Sequence, residues 1–251
     1  LLTQFSTPDE LFGPVDIQAM KQGVYRRIIA HKMPEAEIAF LDEIFKANSA
    51  ILNSMLSILQ ERVYYNNGEP IQVPMIFCVG ASNELPEEEA GLAALYDRFL
   101  LRYNTGYLSD GEHFSSLLRL APGLSLAEHI TADELAEARQ VIAQIPLLDE
   151  AVETVTLIWD RLKAEGIHPS DRRYKQMLRV MAAESWLNND QQVMPESALI
   201  AQHILWDKPD QERLVNMVVR SSIKPGLAKA QEIEQASKAA MAELRDGKPH
   251  T

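Results

Sequence analysis

A chain of 251 residues, 46% hydrophobic and 24% charged, has ordinary globular composition and length enough for one or two domains with their own cores. Its 24 Lys+Arg against 36 Asp+Glu leave a formal net charge of −12, which argues against gripping nucleic acid through a broad cationic face. Cys78 is the single cysteine, which excludes an internal disulfide framework and a cysteine-rich zinc site and fits a reducing cytoplasm.

In chain order, the first half alternates strand-like and helix-like segments. Ile38-Ala39-Phe40-Leu41, closed by Asp42-Glu43, reads as a strand buried on both faces. Ala47 to Glu61 carries Ile51, Leu52, Met55, Leu56 and Leu59 at helical spacing. Arg62 to Tyr65, Asn66-Asn67-Gly68 and Ile71 to Val73 predict a β-hairpin, because Asn-Gly suits a tight turn between β-prone runs. A second buried strand, Met75 to Val79, runs into Gly80-Ala81-Ser82-Asn83. Glu87 to Leu95 is expected as a helix behind Pro86, Phe99 to Tyr103 as a further strand, and Leu108 to Leu126 as a joint between two bodies.

Beyond the joint the pattern is helical. Leu148, Val152, Val155, Trp159 and Leu162 share one predicted face, as do Tyr174, Met177, Leu178, Met181 and Trp186, and Pro195 opens a third helix through Leu199, Ile200 and Leu205. After Ser222 the chain turns polar, with Lys224-Pro225-Gly226 as a breaker and a thin helical stripe over Lys229 to Leu244. The best apolar stretch, Val73 to Ala81, contains Pro74 and Gly80 and is too short to span a membrane. The opening Leu1-Leu2-Thr3-Gln4 has no signal-peptide character, and without an initial Met the chain reads as a piece whose natural start lies upstream.

The chemistry concentrates at strand ends. Two adjacent acids, Asp42 and Glu43, at the end of an apolar strand stand where open α/β sheets bind ligands. Nucleotide hydrolysis needs two such groups, one helping to hold Mg²⁺ and one activating water; an acidic helix start is the plainer explanation of the same pair. Asn83, at the end of the second strand, suits an uncharged group that positions phosphate or water, or a simple turn residue. Arg98, in Leu95-Tyr96-Asp97-Arg98-Phe99, either pairs with a nearby acid or reaches a neighbouring subunit's phosphate. In Pro169-Ser170-Asp171-Arg172-Arg173, Ser170 or Asp171 caps a helix while Arg172 is placed to point back across the joint. The 6 His residues show no zinc-binding spacing, no G-x-S-x-G is present, and Cys78 inside an apolar strand reads as packed.

Together these stretches resemble a known family. Phe40-Leu41-Asp42-Glu43-Ile44, Ala81-Ser82-Asn83-Glu84-Leu85-Pro86, Leu95-Tyr96-Asp97-Arg98 and Ser170-Asp171-Arg172-Arg173 are similar to Walker B, sensor one, arginine finger and sensor two of MoxR-type AAA+ ATPases. Phe5 to Pro14 and Leu92 to Arg98 resemble the RavA branch (regulatory ATPase variant A). The resemblance implies an α/β fold: a partial AAA+ core over 1–125, with parallel sheet and hairpin insertion, an all-α lid over 126–222, and a tail over 223–251. It implies ATP and Mg²⁺ as cofactors, with Asp42 on Mg²⁺, Glu43 as catalytic base, Asn83 as polar sensor, Arg98 as finger in trans and Arg172 on the γ-phosphate. Arg102 and Arg173 rival Arg98 and Arg172 for the last two roles. Phe12 to Lys32 would be a helix-two insert, which with the hairpin serves to grip or signal. A cytoplasmic, hexameric, chaperone-like machine is implied, with a partner carrying a von Willebrand factor A domain, no nucleic acid and no membrane span.

One departure stands out. A P-loop, G-x-x-x-x-G-K-S/T, is absent from these 251 residues: Gly247-Lys248 is followed by Pro249 and preceded by Ala242 where the first glycine belongs. By the resemblance the P-loop lies upstream, so residues 1–251 alone are expected to bind ATP weakly or not at all and to be inactive. The competing readings are a nucleotide-independent adaptor that keeps the AAA+ shape, and a DNA-remodelling AAA+ protein, which the −12 charge disfavours.

Overall fold

The computed structural model describes residues 2–3, 6–85, 90–120 and 129–223. The chain separates into two compact units, 1–100 and 101–251.

In the first unit, Pro8 opens α1 (Pro8–Phe12), where a missing N–H costs nothing. Asp16 caps α2 (Ile17–Lys21) by accepting from the N–H groups of Gln18 and Ala19. Then follow β1 (Ile38–Asp42), α3 (Ser49–Glu61), β2 (Val63–Asn66), β3 (Glu69–Gln72), β4 (Phe77–Ala81) and α4 (Ala90–Tyr96). β1 and β4 pair in parallel, with Ile38 opposite Phe77 and Asp42 opposite Ala81. The predicted hairpin forms, antiparallel from Val63–Gln72 to Asn66–Glu69, and its Asn67 and Gly68 both take positive φ, 57° and 79°. α3 buries Ile51, Leu52, Met55 and Ile58 against a core that includes Phe12, Ile44 and Leu95. Phe12 stacks on Tyr64 with ring centroids 5.5 Å apart.

The hairpin is tied to the α2 region by one side chain. Asn66 accepts from the Arg27 N–H (2.8 Å) and donates to the Arg27 carbonyl (3.0 Å), imitating a strand partner. The Arg27 guanidinium in turn bonds Asp9 of α1 and the Gly13 carbonyl.

Three expectations for this unit are corrected. β1 buries only alternate residues, Ala39 and Leu41, while Ile38 and Phe40 are 69% and 67% exposed, so the strand is buried on one face rather than two. β4 starts at Phe77, two residues late, because the Ile76 and Phe77 N–H groups both turn to the Glu37 carbonyl. Phe99 to Tyr103 is not a strand; the Phe99 ring instead fills the space over Gly80, where a Cβ would lie 3.2 Å from it. Pro86 to Glu89, the expected helix start, lie outside the described residues.

The second unit holds α5 (Gly111–Leu118), α6 (Ala132–Ile142), α7 (Asp149–Ala164), α8 (Asp171–Leu187), a 3-10 run (Pro195–His203) and α9 (Pro209–Ile223). α7, α8 and α9 each pack on the 3-10 run, whose buried positions are small: Ser197, Ala198 and Ala201. That tight fit replaces the α-helix predicted after Pro195. The buried stripe of α7 runs through Ala151, Ile158 and Leu162, leaving Val152 and Trp159 exposed; Trp186 of α8 is likewise exposed. Part of the predicted joint is helical, since α5 occupies 111–118; 121–128 lie outside the described residues, as does the expected tail helix over Lys229 to Leu244. No helix among the described residues is long and apolar enough to cross a membrane.

Candidate active site

Parallel pairing of Asp42 with Ala81 brings the two chain segments that leave β1 and β4 side by side. Glu43 then adopts the left-handed conformation (φ 54°, ψ 44°), rare for a residue with a Cβ and common where a site dictates the backbone. The turn continues as one 3-10 turn, Ile44–Lys46, closed by the Lys46 N–H on the Glu43 carbonyl at 3.0 Å.

The Glu43 carboxylate is nearly buried and held at both oxygens. Asn83 Nδ2 donates to Oε1 at 2.7 Å; Oε2 is buried without a hydrogen bond and lies 3.4 Å from the Lys46 ammonium. Burial pushes the Glu43 carboxyl up, but the Asn83 amide and the Lys46 ammonium outweigh it and hold the group below the ordinary glutamate value. The result is an ionised carboxylate with Oε1 hydrogen-bonded to Asn83 and Oε2 beside the Lys46 ammonium.

Asp42 is half-buried at the end of β1. Among the described residues no three or more His, Cys, Asp or Glu gather into a metal cage. One strand-end carboxylate fits a cation held chiefly by phosphate and water, as Mg²⁺ is, rather than one enclosed by protein.

The arginines part ways. Arg98, half-buried, donates to the Ala94 carbonyl at the end of α4 and to Gln60 Oε1 of α3 at 2.6 Å, so in this conformation it caps its own helix. Ser170 caps α8 through the Arg173 N–H, as one of the two expected options. Arg172 is half-buried in the first turn of that helix. The rival of each is buried: Arg173, the alternative to Arg172, reaches Asp207 Oδ1 at 2.6 Å, and Arg102, the alternative to Arg98, reaches the same oxygen at 3.2 Å and the Trp206 carbonyl. Asp207, Lys46 and Glu84 were not singled out from sequence; Lys46, three residues past Glu43, carried a weak local signal. Cys78 is partly buried, and burial, opposed by Arg62, pushes its thiol up to about 11.

Residues 1–146 match the model of the MoxR domain in the MoxR-vWA-beta-propeller ternary systems, and residues 150–219 match an AAA lid domain. The chain belongs to the MoxR family of AAA domains. Two uncharacterized proteins of Methanocaldococcus jannaschii are each 37% identical to it, over 87% and 84% of this chain. The MoxR chain spans 57% and 56% of those curated relatives. A structural protein of Acidianus two-tailed virus is 26% identical over 57% of this chain and 25% of its own. The fold is shared with a Cytophaga hutchinsonii protein described as a candidate ATPase, with a TM-score of 0.60 and 18% identity over 87% of this chain and 74% of that one. The partial α/β AAA core followed by a helical lid is thus the fold expected.

Proposed function

We propose that this MoxR chain forms part of a Mg²⁺-dependent ATPase working as a homo-oligomeric, hexameric ring, with its core over 1–125 and lid over 126–222. The observation that carries the reading is Glu43: nearly buried, oriented by Asn83 at 2.7 Å, with Oε2 not hydrogen-bonded and 3.4 Å from the Lys46 ammonium. Asp42 would hold Mg²⁺, which supplies charge neutralisation at the β- and γ-phosphates when bound. Glu43 Oε2 takes the proton of the attacking water as its oxygen bonds to the γ-phosphorus, and the bond from that phosphorus to the ADP oxygen breaks. Asn83 keeps the carboxylate turned toward the water. Arg98 would leave the Ala94 carbonyl and Gln60 to meet a neighbour's γ-phosphate, and Arg172 would approach its own. The burial of Arg173 and Arg102 around Asp207 favours a structural role for both.

The matching family model is that of systems pairing MoxR with von Willebrand factor A and β-propeller proteins, which supports a von Willebrand factor A partner as the object of chaperone-like remodelling. That model supports the β-propeller-associated group rather than the RavA branch, whose likeness rests on the two quoted stretches alone. The test is Glu43→Gln in the complete natural protein: ATP binding stays and turnover falls by about 10²-fold or more, the share a positioned base supplies. Turnover within a factor of a few of wild type would refute the reading.

A further inference from the structure

Lys46 is bound up with the candidate base in a way the motifs do not anticipate. Its ammonium lies 3.4 Å from Glu43 Oε2 and 3.8 Å from Glu84 Oε1, so it bridges the segments leaving β1 and β4. Both ends of that bridge are fixed by backbone. On one side the left-handed Glu43 and the 3-10 turn fold residue 46 back over residue 43. On the other, the Glu84 N–H donates to Ser82 Oγ at 3.2 Å and sets the turn after β4. A buried carboxylate oxygen without a hydrogen bond is costly unless an opposite charge stands beside it, and the Lys46 ammonium is that charge. With Asn83 on Oε1 and Lys46 beside Oε2, the carboxylate is held at both oxygens.

We infer that Lys46 is a positioning residue for Glu43, with Glu84 as its second anchor. The inference rests on the ATPase reading above for its kinetic consequence. Lys46 is 36% exposed at its side chain, so it adds little to the core and its removal acts mainly on Glu43.

The experiment compares wild type, Lys46→Met and Lys46→Arg of the complete protein in steady-state ATP hydrolysis, alongside a high-resolution structure of Lys46→Met. Lys46→Met is expected to lower kcat about 10- to 100-fold, the cost of a reacting group displaced by about 1 Å. KM for ATP stays within about twofold, Lys46→Arg recovers most of the rate, and in the variant structure Glu43 no longer meets Asn83. Unchanged kcat, a parallel rise in KM, no recovery with Arg, or an intact Glu43–Asn83 hydrogen bond in the variant would each overturn the inference. Absence of hydrolysis by wild type would instead overturn the ATPase reading, and the variant structure would still decide the role of Lys46.

Discussion

Gly13→Ala is the sharpest stability test of the first unit. Gly13 has φ 92° and ψ 156°, a combination available in practice only to glycine, and forcing alanine into it costs about 1–3 kcal/mol. A Cβ there would also sit 1.9 Å from the Ile28 carbonyl oxygen. Normal carbon–oxygen contact is about 3.3 Å, so the backbone at Ile28 must retreat by about 1.4 Å. That retreat strains the Ile28 N–H bond to the Pro14 carbonyl (2.8 Å) and the Arg27 bond to the Gly13 carbonyl (2.6 Å), at about 1 kcal/mol each. The total is about 3–5 kcal/mol, which for a chain of this size lowers Tm by about 6–20 °C. Trp159, Trp186 and Trp206 all lie in the second unit, so fluorescence would miss the effect. Calorimetry, with hydrogen exchange read over residues 13–28, is the suitable assay. Gly68→Ala is the control: φ is again positive at 79°, but its Cβ would meet nothing within 4 Å. If Gly13→Ala proved as mild as Gly68→Ala, the argument from the Ile28 contact would fail.

Two further outcomes are expected. Asp207→Ala removes the carboxylate shared by the buried Arg102 and Arg173 and should cost about 3 kcal/mol in urea unfolding followed by tryptophan fluorescence, the low end for a broken buried pair because Asp207 is 40% exposed; a loss under about 1 kcal/mol would show that the cluster contributes little. With its pKa raised to about 11, Cys78 stays protonated at pH 8, so iodoacetamide should modify it roughly 100-fold more slowly than in the unfolded chain, gaining about tenfold per pH unit up to pH 10; a rate already level at pH 9 would contradict the raised value.

The elements that were legible in the sequence are those whose own residues carry the signal. The hairpin was written in Asn67-Gly68, and α3 in its apolar stripe, because turn chemistry and periodicity are local. α6 was missed because it buries only Ala138; its start was marked by the Thr131–Glu134 capping box, which the structure forms in both directions. α9 was overlooked although Pro209 and the stripe of Val215, Val218 and Val219 announce it. The two-faced burial expected of β1 failed because hydrophobicity alone does not say how many faces a sheet covers. At the candidate site, Asp42, Glu43 and Asn83 were legible as strand-end residues. Lys46 was not, because its place beside Glu43 depends on a left-handed turn that no residue type demands. Asp207 was not, because it meets Arg173 from 34 positions away.

The pair of hydrogen bonds between the Asn66 side chain and the Arg27 backbone splices the hairpin to the segment that follows α2. From Arg27 the same chain of bonds runs on through its guanidinium to Asp9 of α1 and the Gly13 carbonyl. Within the first unit, one asparagine thus acts as a coupling rod between two segments that the chain keeps 39 positions apart.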